Sequence, residues 1–241
     1  MKKTELLLLM CFCALFAGQS KASCGKRRVK RVVGGVEALP HTWPWQALLQ
    51  GYKDGTFVHK CGGTLISQSW VLTAAHCVFM DPRPSSYKVK LGAHYRLRDE
   101  KITQTFSVDK LVIHRRFLTN KRYGYDIALI KLSRPAILNF AVGLACLPRQ
   151  SHSIPVGSPC YLTGFGGNST KSGCNGDSGG PLVCEQDGRW VVHGAVSWGD
   201  LKCRAKSTYA VFTRISSFIN WINQKMSSRY LPAYQMTQMT R

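Results

Sequence analysis

Short apolar or alternating runs separated by turn-forming residues organise the chain between residues 46 and 213. They are Gln46–Gln50, Thr64–Ser67, Trp70–Thr73, Tyr87–Leu91, Leu111–His114, Ile127–Lys131, Pro181–Cys184, Trp190–Gly194 and Tyr209–Thr213. Runs this short, with a period near two, read as strands with one face buried. Many of them at this spacing predict an all-β protein, either barrel or sandwich. The period changes only near the end, where Ile215, Phe218, Ile219 and Ile222 fall at helical spacing. They predict one amphipathic closing helix within residues 215–225. Residues 227–241 have no clear period and are expected to be mobile. No internal repeat is evident.

The N-terminus has a different pattern. Met-Lys-Lys is followed by an apolar run from Leu6 to Ala17 and by small and polar residues to Ala22. That sequence predicts a secretory signal peptide over residues 1–22. The run is short for a bilayer span, and no later segment is long enough to make one. The expected product is secreted, extracellular or stored in a secretory granule.

Of ten cysteines, Cys11 and Cys13 fall in the signal segment. The remaining eight are Cys24, Cys61, Cys77, Cys146, Cys160, Cys174, Cys184 and Cys203. An even set in an oxidising compartment predicts disulfides, although the sequence leaves all 105 pairings open. Zinc is the alternative use of cysteine, but these residues form no Cys-x-x-Cys pair or His cluster. No motif calls for a cofactor or a metal.

The formal charge of +21 changes the picture of possible partners. Eight basic residues and one acid lie up to Arg31, so the remainder carries +14. Such a charge favours acidic partners, among them sulfated glycans and other polyanions. There is no nucleic-acid motif. Basic residues scattered through Arg83–Arg122 and Lys202–Lys206 mostly read as a solvated face.

Three motifs carry chemistry: Leu72-Thr-Ala-Ala-His76-Cys77, Asp126-Ile-Ala-Leu-Ile-Lys131 and Gly176-Asp-Ser-Gly-Gly-Pro181. Alone, each has an ordinary structural reading as a core histidine, a capped strand or a flexible turn. Together they supply a hydroxyl nucleophile, an imidazole to take its proton, and a carboxylate to fix the imidazole. In this order they make the chain resemble the chymotrypsin/trypsin family of secreted serine proteases, from Val32 to about Met226.

The resemblance implies two packed antiparallel β-barrels with a cleft between them. It divides the chain into signal 1–22, propeptide 23–31, protease domain 32–226 and tail 227–241. Ser178 becomes the nucleophile, His76 the general base and Asp126 its orienting carboxylate. The N–H groups of Gly176 and Ser178 form the oxyanion hole. Ser197-Trp198-Gly199 becomes the strand that pairs with substrate backbone, unless it is a core strand with a buried tryptophan. Ser172 at the pocket floor, with Gly199 and Ala210 on its walls, implies a preference for large apolar residues. The implied disulfides are Cys24–Cys146, Cys61–Cys77, Cys160–Cys184 and Cys174–Cys203. The first would tether the propeptide after cleavage.

Activation is expected by cleavage after Arg31, which frees the Val32 amino group to pair with Asp177. Arg28-Val-Lys-Arg31 also matches the multibasic pattern of furin-like convertases, unless it is only a solvated basic run. The implied partners are peptide or protein substrates, an activating protease and protein inhibitors of serpin type.

One stretch departs from the family pattern. Thr163-Gly-Phe-Gly166 is followed by only five residues, Gly167–Lys171, before Ser172. In the family a long segment with two strands, a short helix and a disulfide lies there. Five residues cannot replace it, so the second barrel is expected to be incomplete. Asn168-Ser-Thr170 in this connection is an N-glycosylation sequon. Two functions follow: an active endopeptidase, or a catalytically impaired cationic pseudoprotease that binds without cutting.

Overall fold

The computed structural model describes residues 23–27, 37–119, 124–166, 177–199 and 210–227. Outside them lie the signal segment, the Arg31–Val32 junction, the Asn168 sequon, Ser172, Cys174, Gly176, Cys203 and residues 228–241.

Among the described residues, ten strands form two units. The first contains β1 (Gln46–Lys53), β2 (Thr56–Ser67), β3 (Trp70–Thr73), β4 (Tyr87–Leu91), β5 (Gln104–Ile113) and β6 (Ala128–Leu132). They close into an antiparallel barrel in the order β1-β2-β3-β6-β5-β4, with β4 returning to β1. The second contains β7 (Cys160–Leu162), β8 (Pro181–Gln186), β9 (Arg189–Gly199) and β10 (Ala210–Arg214). These form a four-stranded sheet ordered β10-β9-β8-β7. The helices are α1 (Arg115–Thr119) and α2 (Ile219–Ser227).

Strand β4 shows why the pattern folds this way. Tyr87, Val89 and Leu91 are buried and alternate with partly exposed Lys88 and Lys90. Successive side chains leave a strand on opposite faces, so the alternation places one lysine edge outside the barrel. Shifts of register at Leu49/Gln50, Leu65/Ser67 and Val108/Lys110 fall where strands must bend around the barrel. Leu49, Leu65, Val89, Leu91, Phe106, Leu129 and Ile130 fill it, in one core cluster continuous with Val183, Val192, Ile215 and Ile222 of the second unit.

The closing helix begins later than its pattern predicts. Residues 215–217 make a 3-10 turn, and α2 itself starts at Ile219 and runs to Ser227. Of the four predicted apolar positions Ile215, Ile219 and Ile222 are buried, and Phe218 is partly buried against the core. Three implied disulfides are present: Cys24–Cys146, Cys61–Cys77 and Cys160–Cys184. Among the described residues, no helix is long and apolar enough to cross a membrane.

Leu129 is fully buried at the centre of β6. Truncating such a residue removes transfer free energy and leaves a cavity. Leu129→Ala should therefore cost about 2–5 kcal/mol in urea unfolding of the disulfide-intact protein. A change within experimental error would show that the barrel core collapses around the gap.

Candidate active site

His76 and Asp126 come from the barrel unit. His76 sits in the 3-10 turn Ala75–Cys77 that follows β3, and Asp126 lies two residues before β6. Because β3 and β6 pair through Thr73↔Ala128, the two residues arrive side by side. The His76 backbone N–H donates to Asp126 Oδ1 at 2.9 Å, and its Nδ1 lies 2.8 Å from Oδ2. One carboxylate thus fixes both the position and the ring orientation of the histidine. An N–H at Nδ1 leaves Nε2 as the acceptor, the tautomer required of a general base.

The second unit completes the carboxylate's environment. Ser197 on β9 donates its hydroxyl to Asp126 Oδ2 at 2.5 Å, and Thr213 on β10 donates to the Asp126 carbonyl at 2.8 Å. These two contacts have no signal in the motifs. Ser197 was expected only on the substrate strand, and Thr213 had no expected role. A buried carboxylate needs several donors, but only the register of β9 with β10 shows which residues supply them.

Ser178 reaches the site from the turn before β8. Its carbonyl accepts from the Gly62 N–H at 2.8 Å, and Gly179 N–H donates to Val196 O at 2.7 Å. Gly179 has φ +76°, and a Cβ there would lie 2.1 Å from Thr73 Oγ1. Only glycine permits this approach of the Ser178 turn to the barrel. The Cys77 sulfur lies 3.7 Å from Ser178 O and 3.8 Å from His76 Nε2, so serine and imidazole flank one disulfide. Among the described residues no hydrogen bond joins the Ser178 hydroxyl to His76. Such contacts are often long in unliganded sites and tighten around substrate.

Asp177 is 5% exposed, and its Oδ1 accepts from the Gly166 N–H at 2.9 Å. A Cβ on Gly164 would meet the same oxygen at 2.1 Å. The Thr163-Gly-Phe-Gly166 segment therefore cradles this carboxylate, while Arg31 and Val32 lie outside the described residues. Gly176 and Ser172 do also, leaving Ser178 as the one expected oxyanion donor within them.

Beyond Val196, β9 runs past the end of β8, whose pairing with β9 stops at Pro181↔Ala195. Ser197, Trp198 and Gly199 continue along β10, with Trp198↔Val211 and Gly199↔Ala210 in register. Trp198 is 44% exposed, which rules out its reading as a buried core tryptophan. Ala210 is also exposed. A cleft of about 430 Å³ lined by His76, Phe117, Tyr125, Asp126, Ser197 and Trp198 opens beside this strand. Cys61, His76 and Cys77 also cluster, but their two sulfurs are joined to each other and offer no thiolate to a metal.

A closed six-stranded barrel docked on a second sheet, with a histidine–aspartate pair facing a serine turn, defines the architecture of a trypsin-type serine protease. The family model for trypsin matches residues 32–173 and 166–222, and the chain belongs to that family. It is 38% identical to chymotrypsin-C of Rattus norvegicus, over 81% of this chain and 89% of that protein. Chymotrypsin-like elastase family member 1 of Canis lupus familiaris is 37% identical over 82% and 93% of the two chains. Chymotrypsin-like elastase family member 3B of Homo sapiens is 37% identical over 93% and 98%. That last alignment spans 273 positions, more than the 241 residues of this chain, so it includes positions that this chain lacks. The protein is thus a hydrolase of the serine endopeptidase class.

Burial pushes the Asp126 carboxyl upward, but the hydrogen bonds from His76 and Ser197 and the charge of His76 outweigh it and hold the carboxyl below its ordinary value. A depressed carboxylate stabilises the fold above its unfolded value near 3.9, and that contribution is lost as pH falls through the lower folded value. Asp126→Asn lacks this contribution. Urea unfolding between pH 6 and 2 should show the parent losing stability more steeply below about pH 4 than the variant. Parallel pH profiles would contradict the assignment.

Proposed function

We propose that this chain is a secreted endopeptidase that hydrolyses peptide bonds through Ser178, His76 and Asp126, and that cleavage after Arg31 activates it. The observation that carries this reading is the double hold of Asp126 on His76, through the backbone N–H and Nδ1, next to the Ser178 turn. His76 takes the proton of Ser178 as the hydroxyl oxygen attacks the substrate carbonyl, and the nascent imidazolium is stabilised by Asp126. The N–H of Ser178, with that of Gly176, receives the developing oxyanion. Donation of the proton from His76 to the leaving amine breaks the C–N bond and leaves an acyl-enzyme on Ser178. Water activated by the same imidazole then releases the acid and restores the hydroxyl.

The Ser197–Gly199 segment, with Trp198 exposed on it, is assigned to backbone pairing with an extended peptide. Ser172 brings no carboxylate to a guanidinium or ammonium, so we assign a preference for Phe, Tyr, Leu or Met before the scissile bond. The signal segment and three disulfides support secretion. We place an activating protease, serpin-type inhibitors and polyanions among its partners. The competing reading is a cationic pseudoprotease, favoured by the short connection after Gly166 and by a second sheet of four strands among the described residues. A fluorophosphonate probe separates the two, because covalent labelling of Ser178 requires a working base and oxyanion hole.

After cleavage at Arg31, Phe peptides should be hydrolysed faster than Arg peptides. Ser178→Ala and His76→Ala should each abolish turnover, and the double variant should be no slower than either, since the residues act as one unit. Normal turnover by either single variant would remove the triad assignment.

The ammonium of Val32 is the expected partner of Asp177, so uncut chain should be latent. An Arg31→Gln precursor should stay inactive after exposure to trypsin-like or furin-like proteases, as read by active-site titration. Equal specific activity of cut and uncut protein would refute activation at this bond.

A further inference from the structure

Residues 23–27 are fixed to the body by more than the Cys24–Cys146 disulfide. The Gly25 N–H donates to Leu144 O at 2.7 Å, and the Trp190 N–H donates to Gly25 O at 3.0 Å. Two residues further on, the Arg27 guanidinium enters a cage of three aromatic rings. Its carbon lies 4.2 Å from the centroid of Trp43, 5.3 Å from Trp190 and 5.9 Å from Tyr161. The rings also pack on one another: Trp43 and Trp190 meet edge to face at 5.1 Å, and Tyr161 and Trp190 at 5.4 Å. Trp43 precedes β1, Tyr161 lies in β7 and Trp190 in β9, so the cage exists only in the folded protein.

The cation is partly shielded from water. Arg27 Nε and Nη2 are buried and have no hydrogen-bond partner among the described residues. Burial pushes its pKa below the ordinary guanidinium value, and Tyr161 and Glu185 act in the opposite direction. Attraction to the faces of electron-rich rings strengthens when water is excluded, and it offers a partial substitute for the missing hydrogen bonds.

We propose that this cage withholds Arg27 from processing proteases, so that cleavage of the basic stretch is directed to bonds further along the chain. The inference rests on the proposed activation after Arg31. The stretch from Lys26 to Arg31 holds five basic residues, each a possible cleavage point for a trypsin-like enzyme. To cut after Arg27, a protease must draw its guanidinium into its own specificity pocket and extend the backbone on both sides. That requires the cage to empty and the Gly25 contacts to open. Cleavage of a bond that must first open follows the population of the open form when reclosure is fast. Each tenfold reduction in that population slows the cut tenfold.

The test is a time course of the full-length precursor with trypsin under native conditions, with new termini identified by mass spectrometry after reduction. A synthetic peptide of residues 23–34 supplies the unprotected reference rate for the bond after Arg27. In the native precursor this bond should be cut at least about tenfold more slowly than in the peptide. Trp43→Leu or Tyr161→Leu should reduce that protection about fivefold or more, and two variants are used so that a folding failure in one leaves the other to decide. Cleavage after Arg27 at the peptide's rate, or protection unchanged in every folded variant, would overturn the proposal. Activity appearing without cage-dependent protection would defeat this inference alone, whereas protection without activity after cleavage at Arg31 would defeat the activation mechanism alone.

Discussion

The site depends on a close backbone contact between the two units, at Gly62 and Ser178–Gly180. The Gly62 N–H binds the Ser178 carbonyl, and a Cβ on Gly62 would come within 3.0 Å of Gly180 Cα. Thr73 donates its hydroxyl to the Gly62 carbonyl at 2.8 Å and occupies the space that any side chain at 179 would need. Glycine on both sides lets main chain meet main chain, and Thr73 satisfies a carbonyl that would otherwise be buried alone. Ser178 therefore stands at a fixed place relative to β3, which leads directly into His76. The Cys61–Cys77 disulfide spans the same place, joining the strand that holds Ser178 to the turn that holds His76.

Asp126 performs the reciprocal service. It belongs to the barrel, yet two of its contacts come from β9 and β10. Its ionised form is retained despite burial because the donors around it favour the charge. His76 is thus aligned by a carboxylate that the opposite unit holds in place. A disturbance of β9 or β10 would reach His76 without touching it.

Legibility in the sequence followed side-chain pattern. Trp70–Thr73 and Tyr87–Leu91 have the predicted bounds, because their apolar residues repeat strongly and turns bracket them. Strand β5 extends seven residues before the predicted Leu111, through Gln104–Lys110, where Phe106 and Val108 are buried between polar neighbours. A strand with so little apolar content is defined by its pairing to β4 and β6. Strand β7 has only three residues and none fully buried, so nothing local announces it; its pairing with β8 aligns Cys160 with Cys184. The motifs around His76, Asp126 and Ser178 stood out in the sequence because chemistry restricts those residue types, and the structure pairs His76 with Asp126. The supports from Gly62, Thr73 and Thr213 did not stand out, since many residues can serve as backbone partners and only the fold selects these.

The two units also differ in closure, and this bears on catalysis. The barrel has no edge, whereas β7 forms one end of the second sheet among the described residues. Its next neighbour along the chain is the Thr163–Gly166 segment that cradles Asp177. The family segment missing after Gly166 would therefore have packed beside the carboxylate expected to receive the new N-terminus. A wetter surrounding weakens a charge pair, because its Coulomb energy falls as the effective dielectric rises. The histidine–aspartate pair is held by contacts from β9 and β10, while the Ser178 turn begins at Asp177 itself. Loss of the segment should thus act on the Ser178 turn and its population of ordered states rather than on His76.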